Sequence, residues 1–333
     1  MGQKPAEGVC IYGAGVLLKH LHALDAESEG VRQAEDIEYL HRMRVASRRL
    51  RSAMGLFEGC LPAAKKANWT KAIQKVTHAL GVARDLDVQI ALVESFYKKT
   101  GDPDCRYGLR RLRLRLSQQR SKQQVKVLTA LDELNASQIT AKMERRFSPL
   151  AALQDVVYLY PPALYKLSFE ANTALIDQLL SSAGSVVEHP EDKEALHAMR
   201  IAAKKTRYSL ETFAPLYENE LKESLAVLRK LQDSLGEIHD CDVWLAYLPE
   251  FIEKEGQRTE AYFGHRRPMK RIVPGINWFI QERQETRTQS FGEFVNDWNG
   301  LIDQDRWGGL RRQLQIPAGL NIKGVQSSPT DAN

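Results

Sequence analysis

What this sequence lacks already narrows its class. No stretch approaches the ~18 apolar residues of a membrane span, and β-branched alternation is nearly absent, so neither membrane helices nor a sheet fold is expected. The apolar residues 9–18 are broken by glycines and end at Lys19-His20, which makes a poor secretory signal. Position 6 is Ala, where a myristoylation signal carries Ser or Thr. The four cysteines, Cys10, Cys60, Cys105 and Cys241, form no CxxC and no zinc-like spacing, so they read as reduced thiols in the core or at the surface. A soluble, reducing, cytoplasmic setting with no bound metal or cofactor follows as the expectation. Gly13-Ala14-Gly15 follows no strand and completes no nucleotide fingerprint, so it reads as local backbone flexibility. Net charge is only +5, from 47 Lys and Arg against 42 Asp and Glu, so any anion site must arise from local clustering.

Clustering and repetition are what the chain does have. His41-Arg42-Met43-Arg44-Val45-Ala46-Ser47-Arg48-Arg49-Leu50-Arg51 returns as His197-Ala198-Met199-Arg200-Ile201-Ala202-Ala203-Lys204-Lys205-Thr206-Arg207, and Phe57 returns as Phe213. Leu80-Gly81-Val82-Ala83-Arg84-Asp85-Leu86-Asp87-Val88 returns as Leu235-Gly236-Glu237-Ile238-His239-Asp240-Cys241-Asp242-Val243. Two copies of one helical unit are implied. Between Arg106 and Ala130 there are also eight Lys and Arg and no acid, and residues 265–271 form a second basic patch.

At 100° per residue from His41, Arg44, Arg48 and Arg51 fall near −60°, −20° and −80°, one narrow stripe. Met43, Ala46, Leu50, Met54 and Phe57 occupy about 140° to 220°, the core side of an amphipathic helix. The second copy aligns His197, Arg200, Lys204 and Arg207 in the same way, over Met199, Ala202, Leu210 and Phe213, with Thr206 as a polar intruder. A charged stripe is usually a solvated face, but such faces mix signs so that i, i+4 pairs offset one another. Neither stripe contains a carboxylate. A bound anion would explain repulsion that recurs at matched positions.

The duplicated pattern His-x-Met-Arg-x-Ala, then Leu-Gly-x-x-x-Asp-x-Asp-Val, resembles the CHAD family (conserved histidine α-helical domain) over roughly residues 10–315. The resemblance implies an all-α fold of two four-helix bundles related by a pseudo-twofold axis, with the basic helices lining a central cavity or pore. It also implies binding of inorganic polyphosphate without catalysis by this domain. The triphosphate-metabolising domain that some members carry is not expected, since these residues leave none over to build one. The expected units are residues 1–158 and 159–315, followed by a disordered tail from 316 to 333. The expected polyphosphate ligands are His41, Arg44, Arg48, Arg51, His197, Arg200, Lys204 and Arg207, with Lys75 and Lys230 at equivalent places on the next helix. Arg120 and Arg287 are weaker candidates. The expected partner is polyphosphate, met in the cytoplasm or on polyphosphate granules.

Periodicity places helices at about 11–26, 36–58, 62–80, 86–100, 105–134, 162–182, 191–214, 217–235, 241–256 and 273–304, with shorter helical material to about 155. Tyr160-Pro161-Pro162 marks the boundary between copies. Acids open both motif helices, Glu35, Asp36 and Glu38 in one and Glu191, Asp192 and Glu194 in the other. Asp85, Asp87, Asp240 and Asp242 read as helix caps after Gly81 and Gly236, or as acceptors that orient the basic stripe. The aromatics Trp278, Phe279, Phe291, Phe294, Trp298 and Trp307 read as core. Two other readings stay open. One is a phosphohydrolase or phosphotransferase acting on short polyphosphates through the Asp pairs and Mg²⁺. The other is nucleic-acid binding, disfavoured because the stripes hold no stacking aromatics.

Overall fold

The computed structural model describes residues 7–154 and 162–320, with side chains through residue 315. Those residues contain helices and no strand. They form α1 (Glu7–Ala26), α2 (Ser28–Gln33), α3 (Ile37–Leu56), α4 (Ala63–Lys99), α5 (Pro103–Ser137) and α6 (Ile139–Ala151), then α7 (Pro162–Glu188), α8 (Lys193–Phe213), α9 (Lys222–Phe263), α10 (Val273–Asp303) and α11 (Arg306–Leu320). None of them is long and apolar enough to cross a membrane. The all-α reading is what the chain adopts. The predicted break at Tyr160-Pro161 lies outside the described residues, and α7 begins at Pro162. The tail expected to be disordered from 316 is helical to Leu320, and the rest of it lies outside the described residues.

Local chemistry starts both motif helices. Asp36 caps α3 by accepting from the Glu38 amide, and Asp192 caps α8 by accepting from the Ala195 amide. Their apolar faces then turn inward, with Met43, Ala46, Leu50, Met54 and Phe57 on one and Met199, Ala202, Leu210 and Phe213 on the other, all buried. The polar intruder Thr206 is fully buried as well. Its hydroxyl donates to the Ala202 carbonyl at 2.9 Å, which satisfies the group inside its own helix.

Three readings are overturned. Gly81 and Gly236 end no helix, because α4 and α9 run unbroken for 37 and 42 residues. Leu80, Ala83 and Leu86, and likewise Leu235, Ile238 and Cys241, keep one face buried through each glycine. That continuing burial outweighs the ~1 kcal/mol a helical glycine costs. Cys10 and Cys60 are not unpaired thiols. They form a disulfide between α1 and the turn after α3, while Cys105 and Cys241 remain free and buried. Packing of α1 on α3 brings the pair together, which spacing in the sequence does not reveal. Gly13 is no flexible point either, since a Cβ there would lie 2.7 Å from the Phe57 ring. The glycine lets Phe57 close onto α1.

Contacts within each copy match. Helices α1, α3, α4 and α5 pack in succession, and α7, α8, α9 and α10 do the same, while α6 lies on α1 as α11 lies on α7. Across the copies, α1 meets α7, α3 meets α8 and α5 meets α10. Equivalent elements therefore touch equivalent elements, the pattern of an isologous interface. Neither core belongs to one copy alone. The larger joins Leu17, Leu50 and Trp69 to Leu179, Phe213 and Leu228. A second, at the far ends of the long helices, joins Phe96 and Leu112 to Trp244 and Phe279. As sequence reasoning expected, Phe279, Phe294, Trp298 and Trp307 are core residues.

Candidate functional site

The α3–α8 contact sets the two basic stripes facing one another. Arg48 shows this most directly. It is half-buried, and Arg44 of its own helix and Arg200 and Arg207 of the other all act on it electrostatically. Burial, reinforced by those three like charges, pushes its pKa down to about 10. Tyr208 opposes this, with its ring 5.6 Å from the Arg48 guanidinium and 5.0 Å from that of Arg207. One Arg48 terminal nitrogen, Nη2, is buried with no hydrogen-bond partner among the described residues.

The neighbouring cations are compensated unevenly. Arg44 Nη2 donates to Asp85 at 3.2 Å, but its buried Nε has no partner among the described residues. Gly81 lies directly beneath, so that a Cβ there would come within 3.8 Å of that Nε. Arg207 donates to Gln232 and Glu211, and Glu211 also accepts from Arg49 of the first copy. Arg51, Arg200 and Lys204 form no ion pair or hydrogen bond with any described side chain. Such an arrangement concentrates positive charge where few carboxylates answer it.

Each opening histidine has a companion at one matched position. Arg84 acts on His41, whose pKa is lowered first by burial and then by that charge, with Arg44 and Arg42 adding and Glu38 opposing. His239 replaces Arg84 in the second copy and lies 5.0 Å from His197, ring centre to ring centre. Burial, Arg200 and His197 lower the His239 pKa. Sequence reasoning passed over both companions because their residue types differ. Tyr208 was missed for a related reason, since the first copy has Ser52 in its place.

Each Asp pair divides its work. Asp87 accepts from Arg120 Nε at 2.7 Å, and Asp242 accepts from Arg287 Nε at the same distance. Both acids are buried, so Arg120 and Arg287 are held in matched helix-to-helix ties. Asp85 and Asp240 turn instead towards the basic cluster. Asp240 keeps contact with solvent, yet the protein crowding it raises its pKa; Arg200 opposes the rise, Glu237 and Asp85 add to it, and Arg44 opposes it again. The orienting role is thus seen at Asp85, which holds Arg44, and the capping role is not. Lys75 and Lys230 are exposed and pair with Glu133 and Asp297 on the following helix of each copy. No three His, Cys, Asp or Glu side chains among the described residues are grouped to hold a metal ion.

A family model for the CHAD domain matches residues 15–249, taking in both motif helices and both Asp blocks. The chain belongs to the CHAD family. The crystal structure of the CHAD domain from the plant Ricinus communis aligns at 25% identity with a TM-score of 0.60, covering 83% of this chain and 93% of that one. PptA from Streptomyces chartreusis aligns with a TM-score of 0.57, covering 89% of this chain and 99% of that one, and at 13% identity it shows likeness of fold alone. No curated protein matches. Within the CHAD match lie the ten expected polyphosphate ligands, while the weaker candidate Arg287 lies beyond it with α10 and α11.

Proposed function

We propose that this CHAD protein binds inorganic polyphosphate, without catalysing its turnover, at the basic cluster between α3 and α8. The observation that carries the reading is the crowding of Arg44, Arg200 and Arg207, drawn from both copies, around an Arg48 that burial and like charge disfavour. A polyanion supplies the missing opposite charge. Guanidinium groups suit phosphate oxygens in paired hydrogen bonds, while Lys204 acts as a point charge. His41 and His197 open each stripe and are placed to contribute charge once protonated. Arg51 extends the first stripe at the surface. Lys75 and Lys230 reach a long chain only by releasing Glu133 and Asp297, which makes them secondary ligands in this reading.

A binding role also accounts for the acids, since Asp87 and Asp242 are occupied by Arg120 and Arg287. The test is a calorimetric titration with polyphosphate of defined length at several salt concentrations. Arg44→Ala and Arg200→Ala should each weaken binding by about 1.5–3 kcal/mol, the range for charged hydrogen bonds. Each should also flatten the salt dependence, since fewer counterions are released on binding. Unchanged affinity in the folded double variant would remove the proposal. Phosphate release from tripolyphosphate with Mg²⁺ would show that the protein is an enzyme.

A further inference from the structure

The cations that the site leaves unused gather at the far end of the long helices. There α5 packs on α10 so closely that a Cβ on Gly275 would lie 2.1 Å from the Cys105 carbonyl oxygen, and one on Gly108 would lie 2.4 Å from that of Ile272. Two backbones, one from each copy, are thereby held in contact. Above this junction runs an open groove lined by Tyr107, Arg110, Arg111, Arg113, Leu114 and Arg271, among others, with no acid in its lining. Arg111 is partly answered by buried Glu255 and Arg113 by Glu94. Arg110 and Arg271 are exposed and pair with no carboxylate among the described residues. Exposed Arg267 and Lys270 on the adjoining turn add to the same field.

Aromatic and apolar surface lies among these charges. Tyr107 is 50% exposed and Leu114 is 46% exposed. The Arg271 guanidinium sits 5.6 Å from the Tyr107 ring centre, so the ring is held beside a cation with much of its surface open to solvent. Phosphates need only the charge. A ring presented beside unpaired arginines suits a ligand that alternates phosphates with flat bases, because base stacking on an aromatic face adds to the backbone attraction. The basic stripes between α3 and α8 offer no such open ring.

We infer that the groove between α5 and the Arg267–Arg271 turn binds single-stranded nucleic acid, with Tyr107 stacking a base while Arg110 and Arg271 hold flanking phosphates. The inference stands apart from the polyphosphate reading, since it uses different residues on a different face.

The probe is a fluorescent oligouridylate about 12 nucleotides long, within the usual footprint of such sites. Its binding to the full chain would be followed by anisotropy. Tyr107→Leu keeps apolar bulk at a half-exposed position and should weaken binding roughly five- to hundredfold, the worth of one stacked base. Arg110→Ala with Arg271→Ala should weaken it at least tenfold and flatten its salt dependence. Arg44→Ala with Arg200→Ala should leave oligouridylate binding unchanged. Wild-type affinity in the groove variants overturns the inference. So does loss of binding in the Arg44/Arg200 variant, which would place the oligonucleotide in the α3–α8 cluster. Equal weakening by Tyr107→Leu of binding to anionic lipid vesicles, with the vesicles held more tightly than the oligonucleotide, would assign the groove to a membrane surface and overturn it too.

Discussion

Replacing Arg48 with Met should make the free protein more stable and its hold on polyphosphate weaker. The Arg48 pKa is lowered from the ordinary arginine value to about 10, with burial as the largest cause and Arg44, Arg200 and Arg207 adding to it. Because the folded value lies below the unfolded one, the charged form is disfavoured by folding at every pH at which Arg is protonated. A fall of that size corresponds to about 3 kcal/mol. Water reaching the half-buried group screens this to about 1–2 kcal/mol. Loss of the contact with the Tyr208 ring gives back about 0.5–1 kcal/mol. Met retains the aliphatic stem and fills similar space. The net expectation is therefore a gain of up to about 1.5 kcal/mol in unfolding free energy, read from urea denaturation without ligand. Polyphosphate should reverse the order. A ligand that binds only the native state stabilises by an amount set by its affinity, so saturating polyphosphate should protect wild type more than Arg48→Met. If the variant unfolds more easily and binds polyphosphate as wild type does, the guanidinium is a structural group and the crowding argument fails.

Further outcomes follow from the same geometry. His41 has a lowered pKa in the free protein, while a bound phosphate chain should raise it, so protons are taken up on binding. Affinity should then strengthen as pH falls from about 8 to below 6, and His41→Gln with His197→Gln should abolish that trend while largely sparing binding at high pH; a wild-type profile in the double variant would make the histidines structural. Removing Arg120 should destabilise the fold by about 3–5 kcal/mol, since it leaves buried Asp87 unpaired, and Arg120→Met should bind polyphosphate like wild type when assayed well below its unfolding transition. Clear loss of affinity there would return Arg120 to the site.

The identity of the helices and the faces they bury were legible because helix periodicity acts within a turn or two of one chain segment. Met43, Leu50 and Phe57 could be assigned to the core, and His41, Arg44 and Arg48 to one stripe, from residue order alone. The caps Asp36 and Asp192 were readable for the same reason. Spacing reasoning stopped at glycine. It ended α4 at Gly81 and α9 at Gly236, where burial on both sides carries each helix through.

Contacts between residues distant in sequence were settled only by the packing of one helix on another. The α3–α8 contact decided that Arg48 would meet Arg200, Arg207 and Tyr208. Packing of α4 on α5 and of α9 on α10 sent Lys75 to Glu133, Lys230 to Asp297, and both inner aspartates to arginines. Packing of α1 on α3 joined Cys10 to Cys60, and packing of α5 on α10 set an open tyrosine among arginines. Repetition in the sequence carried the number and kind of charges. The distance between them, and hence whether they repel, pair or await a ligand, exists only once the two copies are folded against each other.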